Sequence, residues 1–216
     1  QTPPTPVAPQ RPTTSTHHGQ TVSDAYAWLR DPAYPEVTDP EILAYLAAEN
    51  AWFDAAMAPR KALVDTLFQE MKARIREDDS SVPQKDGAYV YWEAFEIGAQ
   101  YRKWYRRPVA GGPDELILDE PTLAAGHDYF QLGAVGISPN DRYLAYSFDD
   151  DGSERFTLRV KDLTTGALLP DTIPGTLSAI AWDAQSQGFL YGLANAQWRT
   201  DNARYHRLGS EPASDV

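Results

Sequence analysis

Two segments of this chain repeat one another. Val135, Ile137 and Pro139 are followed 45 positions later by Ile180, Trp182 and Ala184, and in each copy a polar turn leads into an aromatic strand, YLAY or FLYG. A period of about 45 residues with several short strands per unit is the sequence mark of a β-propeller blade. GAYVYW, QYRKWYRR and ELIL, upstream, read as an earlier and divergent unit. Two or three such units do not close a ring, which takes about four to eight blades. An open array leaves strand edges unpaired, so the chain reads as an incomplete propeller.

The strands within these units follow from a period of two. AYVYWEAF and YRKWYRR alternate on either side of a turn at Gly98, and ELILD is a third strand. AVGISPNDRYLAYSF forms a hairpin around Pro139-Asn140-Asp141, RFTLRVKDL follows the turn DDDGSE, AIAWDAQSQGFLYGL forms the second hairpin, and ARYHRLG is the last strand.

Before Pro83 the period is 3.6. Asp39 is placed to cap a helix, Pro40 suits its first turn and Glu41 its positive end. Leu43, Leu46, Asn50, Phe53 and Met57 mark one face, and Pro59 ends the helix. A second helix over 60–76 carries Val64, Leu67, Phe68, Met71 and Ile75 on one face. Two helices with a short break can form an antiparallel pair, and their apolar stripes read most simply as core and not as a partner groove. Tyr26, Trp28 and Leu29 read as anchors for their segment. Residues 1–20 are Pro/Thr-rich and read as an extended or disordered leader. The fold class is α+β by content: a helical segment over 21–76, a polar linker or hinge over 77–83, and the first two to three blades of a propeller over 84–216.

A formal charge of −12 and a pI near 4.7 argue against nucleic-acid binding, which needs clustered Lys and Arg. They suit cationic partners. The absence of cysteine excludes disulfides and thiolate metal sites. No apolar run approaches the ~20 residues of a membrane helix, so no membrane partner is expected. The chain begins at Gln1 and reads as processed or as a piece of something longer. The expected compartment is the cytoplasm, with a periplasmic or secreted form if a signal was removed.

No segment carries a recognised catalytic motif. GISPN resembles a nucleophile elbow, but Pro139 follows Ser138 and cannot supply the oxyanion-hole N–H. DDDGSE, aligned as a calcium loop on Gly152, puts Leu158 where a bidentate Glu belongs, so an Asp-Gly turn explains it. His127 and His206 stand apart from any metal-ligand spacing and are given structural roles, and the His17–His18 pair lacks a third ligand. No phosphate loop is present. Catalytic, cofactor-binding and metal residues are therefore all assigned as none, and no cofactor is expected.

DAYAWLRD, AYLAAENAW, RIREDDSSVP, GAQYRKWYRRP, AAGHDYFQLG, ISPNDRYLAYSFDDDGSE and TLRVKDLTTGALLPDTI occur in this order. Together they resemble the N-terminal part of oligopeptidase B, or protease II, a branch of the prolyl oligopeptidase family of serine peptidases. The resemblance covers about residues 19–210. It implies a propeller joined to an α/β-hydrolase domain, with the N-terminal helices packed on the latter. It also implies cleavage of short peptides after Arg or Lys by a Ser-Asp-His triad, to which the propeller limits access. No position up to Val216 matches a triad residue. The chain is thus expected to supply scaffold and substrate gating, with short basic peptides and a hydrolase domain, in cis or in trans, as partners. RIREDDSSVP would be the joint between the two parts. The rival readings are a stand-alone, non-catalytic propeller-type binding module and one half of a split enzyme.

Overall fold

The computed structural model describes residues 3–34 and 36–216. They form two compact units, one up to Ile75 and one from Arg76 onward.

In the first unit, β1 (Thr13–His17) and β2 (Gln20–Asp24) pair antiparallel around His18-Gly19. Both turn residues have positive φ, 51° and 76°, as a two-residue hairpin of the primed type requires. The expectation of an irregular leader to residue 20 thus fails over residues 13–20. Threonine-rich strands exposed on both faces carry no apolar alternation to betray them. The leader is also tied down. Arg11 donates its backbone N–H to Ala25 O at 2.8 Å and its guanidinium to the Glu41 carboxylate, and it lies 4.6 Å above the Trp28 ring. Trp28 donates to Pro9 O at 2.8 Å and meets Tyr45 edge-on at 6.3 Å.

Buried Asp31 accepts from the amides of Ala33, Thr38 and Asp39, which hold its carboxyl below the usual carboxylate range. This fixes the entry to α1 (Pro40–Met57), where Asp39 caps the amides of Glu41 and Ile42. A 3₁₀ turn over Ala58–Arg60 leads directly into α2 (Lys61–Lys72). Ala58 and Arg60 keep right-handed helical angles on either side of Pro59, so the chain winds on without a reversing loop. The expected antiparallel pair is therefore not formed, and the two helices do not pack along one another. The expected core assignment fails with it. Leu43, Leu46, Phe53, Val64, Leu67, Phe68 and Met71 are 45–59% exposed, and Ile42 is the buried residue of α1.

The second unit is three antiparallel sheets of sequential strands. The first holds β3 (Gln84–Asp86), β4 (Tyr89–Ala94), β5 (Lys103–Pro108) and β6 (Glu115–Asp119). A short helix, α3 (Glu120–Ala124), precedes the second sheet: β7 (Gln131–Ile137), β8 (Tyr143–Asp149), β9 (Phe156–Asp162) and β10 (Leu168–Thr176). The third holds β11 (Ile180–Trp182), β12 (Gly188–Ala194) and β13 (Thr200–Arg207). This is the incomplete propeller expected from the repeat. Sequence reading misses β3, β10 and α3. β10 carries Pro170 and Pro174, which its place at a sheet edge tolerates. The polar linker is partly sheet: Ser81 N–H donates to Glu93 O at 2.9 Å and Phe95 N–H to Asp79 O at 2.8 Å.

The second sheet is buried on both faces. Leu144 and Tyr146 of β8 pack on Ile117 and Leu118 of the first sheet. Ala145, Leu158, Val160 and Ile173 pack on Phe189 and Tyr191 of the third. The two neighbours are also joined by turns 45 residues apart. Asp141 and Ser186 both have positive φ, 59° and 57°. The Asp141 carboxylate accepts from Ala88 N–H at 3.1 Å and Tyr91 O–H at 3.2 Å, both in the first sheet. Ser186 Oγ accepts from Asn140 N–H, in the second, at 3.1 Å. One repeat position thus reaches back to the preceding sheet in each copy.

A buried polar cluster adds a second tie. His206 of β13 is fully buried, with Nε2 2.9 Å from Asp171 Oδ1 of β10 and Nδ1 2.8 Å from Asp215 Oδ1. Tyr191 donates to Asp215 Oδ2 at 2.9 Å, and Gly209 N–H donates to Asp171 Oδ1.

Asp141→Ala leaves the Ala88 amide and the Tyr91 hydroxyl without their acceptor, and we expect a loss of about 1–3 kcal/mol in urea unfolding. Alkaline pH should weaken the fold through Tyr191, which burial and the bond to Asp215 push up to about 12. The folded state keeps this proton where the unfolded phenol, ionising near 10, has lost it. The contribution is complete below pH 10 and is lost as pH rises to about 12. Tyr191→Phe should flatten the slope of stability against pH across that window.

Candidate functional site

Each residue singled out from the sequence has a definite place. Ser138 is buried, and its Oγ accepts from Tyr143 N–H at 2.8 Å and lies 2.7 Å from Asn140 Oδ1, so it organises the β7–β8 turn. The Asp149 carboxylate accepts from the amides of Asp151, Gly152 and Glu154, which makes DDDGSE a self-capped turn. His127 lies 3.5 Å from Asp150 at the surface. His17 ends β1 and His18 occupies the hairpin turn. His206 has carboxylates on both ring nitrogens and no exposure to solvent, so it neither meets a hydroxyl nor admits a substrate. Among the described residues, no three His, Asp or Glu side chains gather as a metal site.

Two features lay outside sequence reasoning. The first is the uncovered apolar face of α1 and α2. The second is a cleft of about 370 Å³ between the first and second sheets, at the end where β4 turns into β5 and α3 leads to β7. Phe95, Tyr101, Trp104 and Phe130 give it aromatic walls. Tyr101 meets Phe130 edge-on at 5.6 Å, and Phe130 stacks on Phe148 at 5.9 Å. Glu120 lines the cleft at the first position of α3. It is 7% exposed, and its Oε1 accepts from Trp104 Nε1–H at 2.6 Å. Arg102, also in the lining, lies 3.5 Å from Glu93 and 5.4 Å over the Phe95 ring. Arg102 immediately precedes β5 and Trp104 is the second residue of that strand, but nothing local reports that Glu120, 16 residues on, folds back to the indole N–H.

The family described as Prolyl oligopeptidase, N-terminal beta-propeller domain, matches residues 6–216. The chain is 37% identical to the dipeptidyl aminopeptidase BI of Pseudoxanthomonas mexicana, over 92% of this chain and 30% of that protein. It is 28% identical to Protease 2 of Moraxella lacunata, over 97% of this chain and 31% of that protein. It therefore spans about a third or less of the relatives it matches. Oligopeptidase B from Trypanosoma brucei, solved in a closed form with covalently bound antipain, superposes with a TM-score of 0.86 at 26% identity. That match covers 99% of this chain and 32% of the other. Oligopeptidase B from Leishmania major shares the fold with a TM-score of 0.87, at 24% identity and over 99% of this chain and 32% of that one. Among the described residues no helix is long and apolar enough to cross a membrane. Sequential antiparallel sheets, a turn position that recurs after 45 residues and the match over 6–216 lead to one assignment: the chain belongs to the N-terminal β-propeller family of the prolyl oligopeptidases.

Proposed function

We propose that this chain is the scaffold and access-limiting part of an oligopeptidase B-like serine endopeptidase that cleaves short peptides after arginine or lysine. On this reading the nucleophile, base and oxyanion donors belong to a hydrolase portion outside these 216 residues. The match of residues 6–216 to the propeller domain of a peptidase family carries the reading. The ordered motifs and the likeness to Protease 2 support the branch.

The uncovered face of α1 and α2 supports the division of labour. Burying one side chain of this size against the hydrolase portion contributes about 1.5–3 kcal/mol. The polar residues before Asp79 act as the joint, since pairing with β4 begins at Asp79. The net charge of −12 draws cationic peptides by long-range attraction.

The 37% identity to dipeptidyl aminopeptidase BI, against 28% to Protease 2, favours a second reading: release of dipeptides from a free amino terminus.

Assay of the intact gene product that contains this chain separates the two. An N-blocked arginyl substrate is turned over on the first reading, and only substrates with a free α-amino group on the second. The 216-residue chain alone should turn over neither, and turnover by it that a serine-directed inhibitor blocks would overturn both. Phe68→Ala should change the stability of this chain by no more than about 0.5 kcal/mol, because the ring is already exposed. In the intact product, with the ring covered, the same change should cost about 3–5 kcal/mol. Equal melting shifts in both would remove the docking role of this face.

A further inference from the structure

We infer that the cleft between the first and second sheets is a binding site for the guanidinium of an arginine side chain. Glu120 is the centre of the argument. As a residue it is 7% exposed; Oε1 is held by Trp104, while Oε2 accepts no hydrogen bond among the described residues and keeps contact with the solvent of the cleft. An ionised carboxylate offers about four acceptor sites. Those of Oε2 are open to the cleft, where a cation carrying N–H groups can fill them.

The walls select which cation. Phe95, Tyr101, Trp104 and Phe130 line the same cleft as the carboxylate. A guanidinium is planar and weakly hydrated, stacks on aromatic faces and bonds carboxylates through parallel N–H groups. A lysine ammonium is more strongly hydrated and gives up more on entering. The volume of about 370 Å³ falls at the small end of ligand sites, room for a side chain and little more. Arg102 already places one positive charge in the lining, but its guanidinium faces Glu93 and lies over Phe95. It raises the cost of a second cation without occupying Glu120.

The inference concerns binding by this chain and does not rest on the peptidase reading. Arginine binding here would stand even if the intact product failed to cleave arginyl peptides, and the converse also holds.

The test is an NMR titration of the 216-residue chain with N-acetyl-arginine amide, following the Trp104 indole N–H, assigned with Trp104→Phe. A saturable shift is expected. The neutral isostere N-acetyl-citrulline amide should bind at least about ten-fold more weakly, as loss of a charge-assisted pair implies. Glu120→Gln keeps an acceptor for the Trp104 indole and should weaken arginine binding by a similar factor at an unchanged melting temperature. Arg102→Gln should bind equally well or more tightly. Should Glu120→Gln lower the melting temperature, the citrulline comparison on the unaltered chain decides. No saturable shift, equal binding of citrulline and arginine amides, or unchanged affinity in a folded Glu120→Gln would overturn the proposal. So would binding of N-acetyl-glutamate amide that Arg102→Gln abolishes, which would make the cleft an anion site.

Discussion

A β-sheet with two apolar faces is stable only between two neighbours, and that constraint organises the second unit. The middle sheet meets it: Leu144 and Tyr146 face one neighbour, Leu158, Val160 and Ile173 the other. The flanking sheets meet it on one side. Trp92 stacks on Tyr105 at 5.6 Å on the far face of the first sheet, and Leu190 is half exposed on the far face of the third. Stacking is also what a repeat of about 45 residues encodes, since each unit covers its neighbour and cannot cover itself.

Polar contacts give the stack its register. Dispersion between sheets is non-directional, so several offsets of one sheet on the next would bury similar area. Asp141 and Ser186 remove that freedom by bonding to the preceding sheet from equivalent turns, each held in a left-handed conformation. Arg106 adds to the first tie by donating to Asp141 O at 2.7 Å. His206 makes a separate tie, with its two carboxylates drawn from β10 and from beyond β13. These groups resemble catalytic residues in type, but their burial and mutual satisfaction suit them to alignment of the sheets.

Much of this was legible in the sequence where one strand or helix decides the outcome. Asp39-Pro40-Glu41 starts α1 as its residue types require, and ELILD is β6 without adjustment. Where an element is polar, short or interrupted, the signal fails: QKD of β3, the threonines of β1 and β2, and the prolines of β10 give no period. The apolar stripes of α1 and α2 were visible, but periodicity reports that a face is apolar and not what covers it. The cleft was invisible, because Glu120 and Trp104 meet through a reversal of the chain between β5 and α3.

The sequence by itself determined the sheet-forming segments, the 45-residue unit, the cap of α1 and the family, because each depends on residue type at short fixed spacings. The tertiary structure alone decided that α1 continues into α2 without folding back and that Asp141 and Ser186 bridge sheets. It also decided that Glu120 accepts from the Trp104 indole through one oxygen and leaves the other to the cleft. Those outcomes depend on contacts between residues distant in the chain, whose energies depend on where the backbone has already been carried by packing, and no local pattern encodes that path.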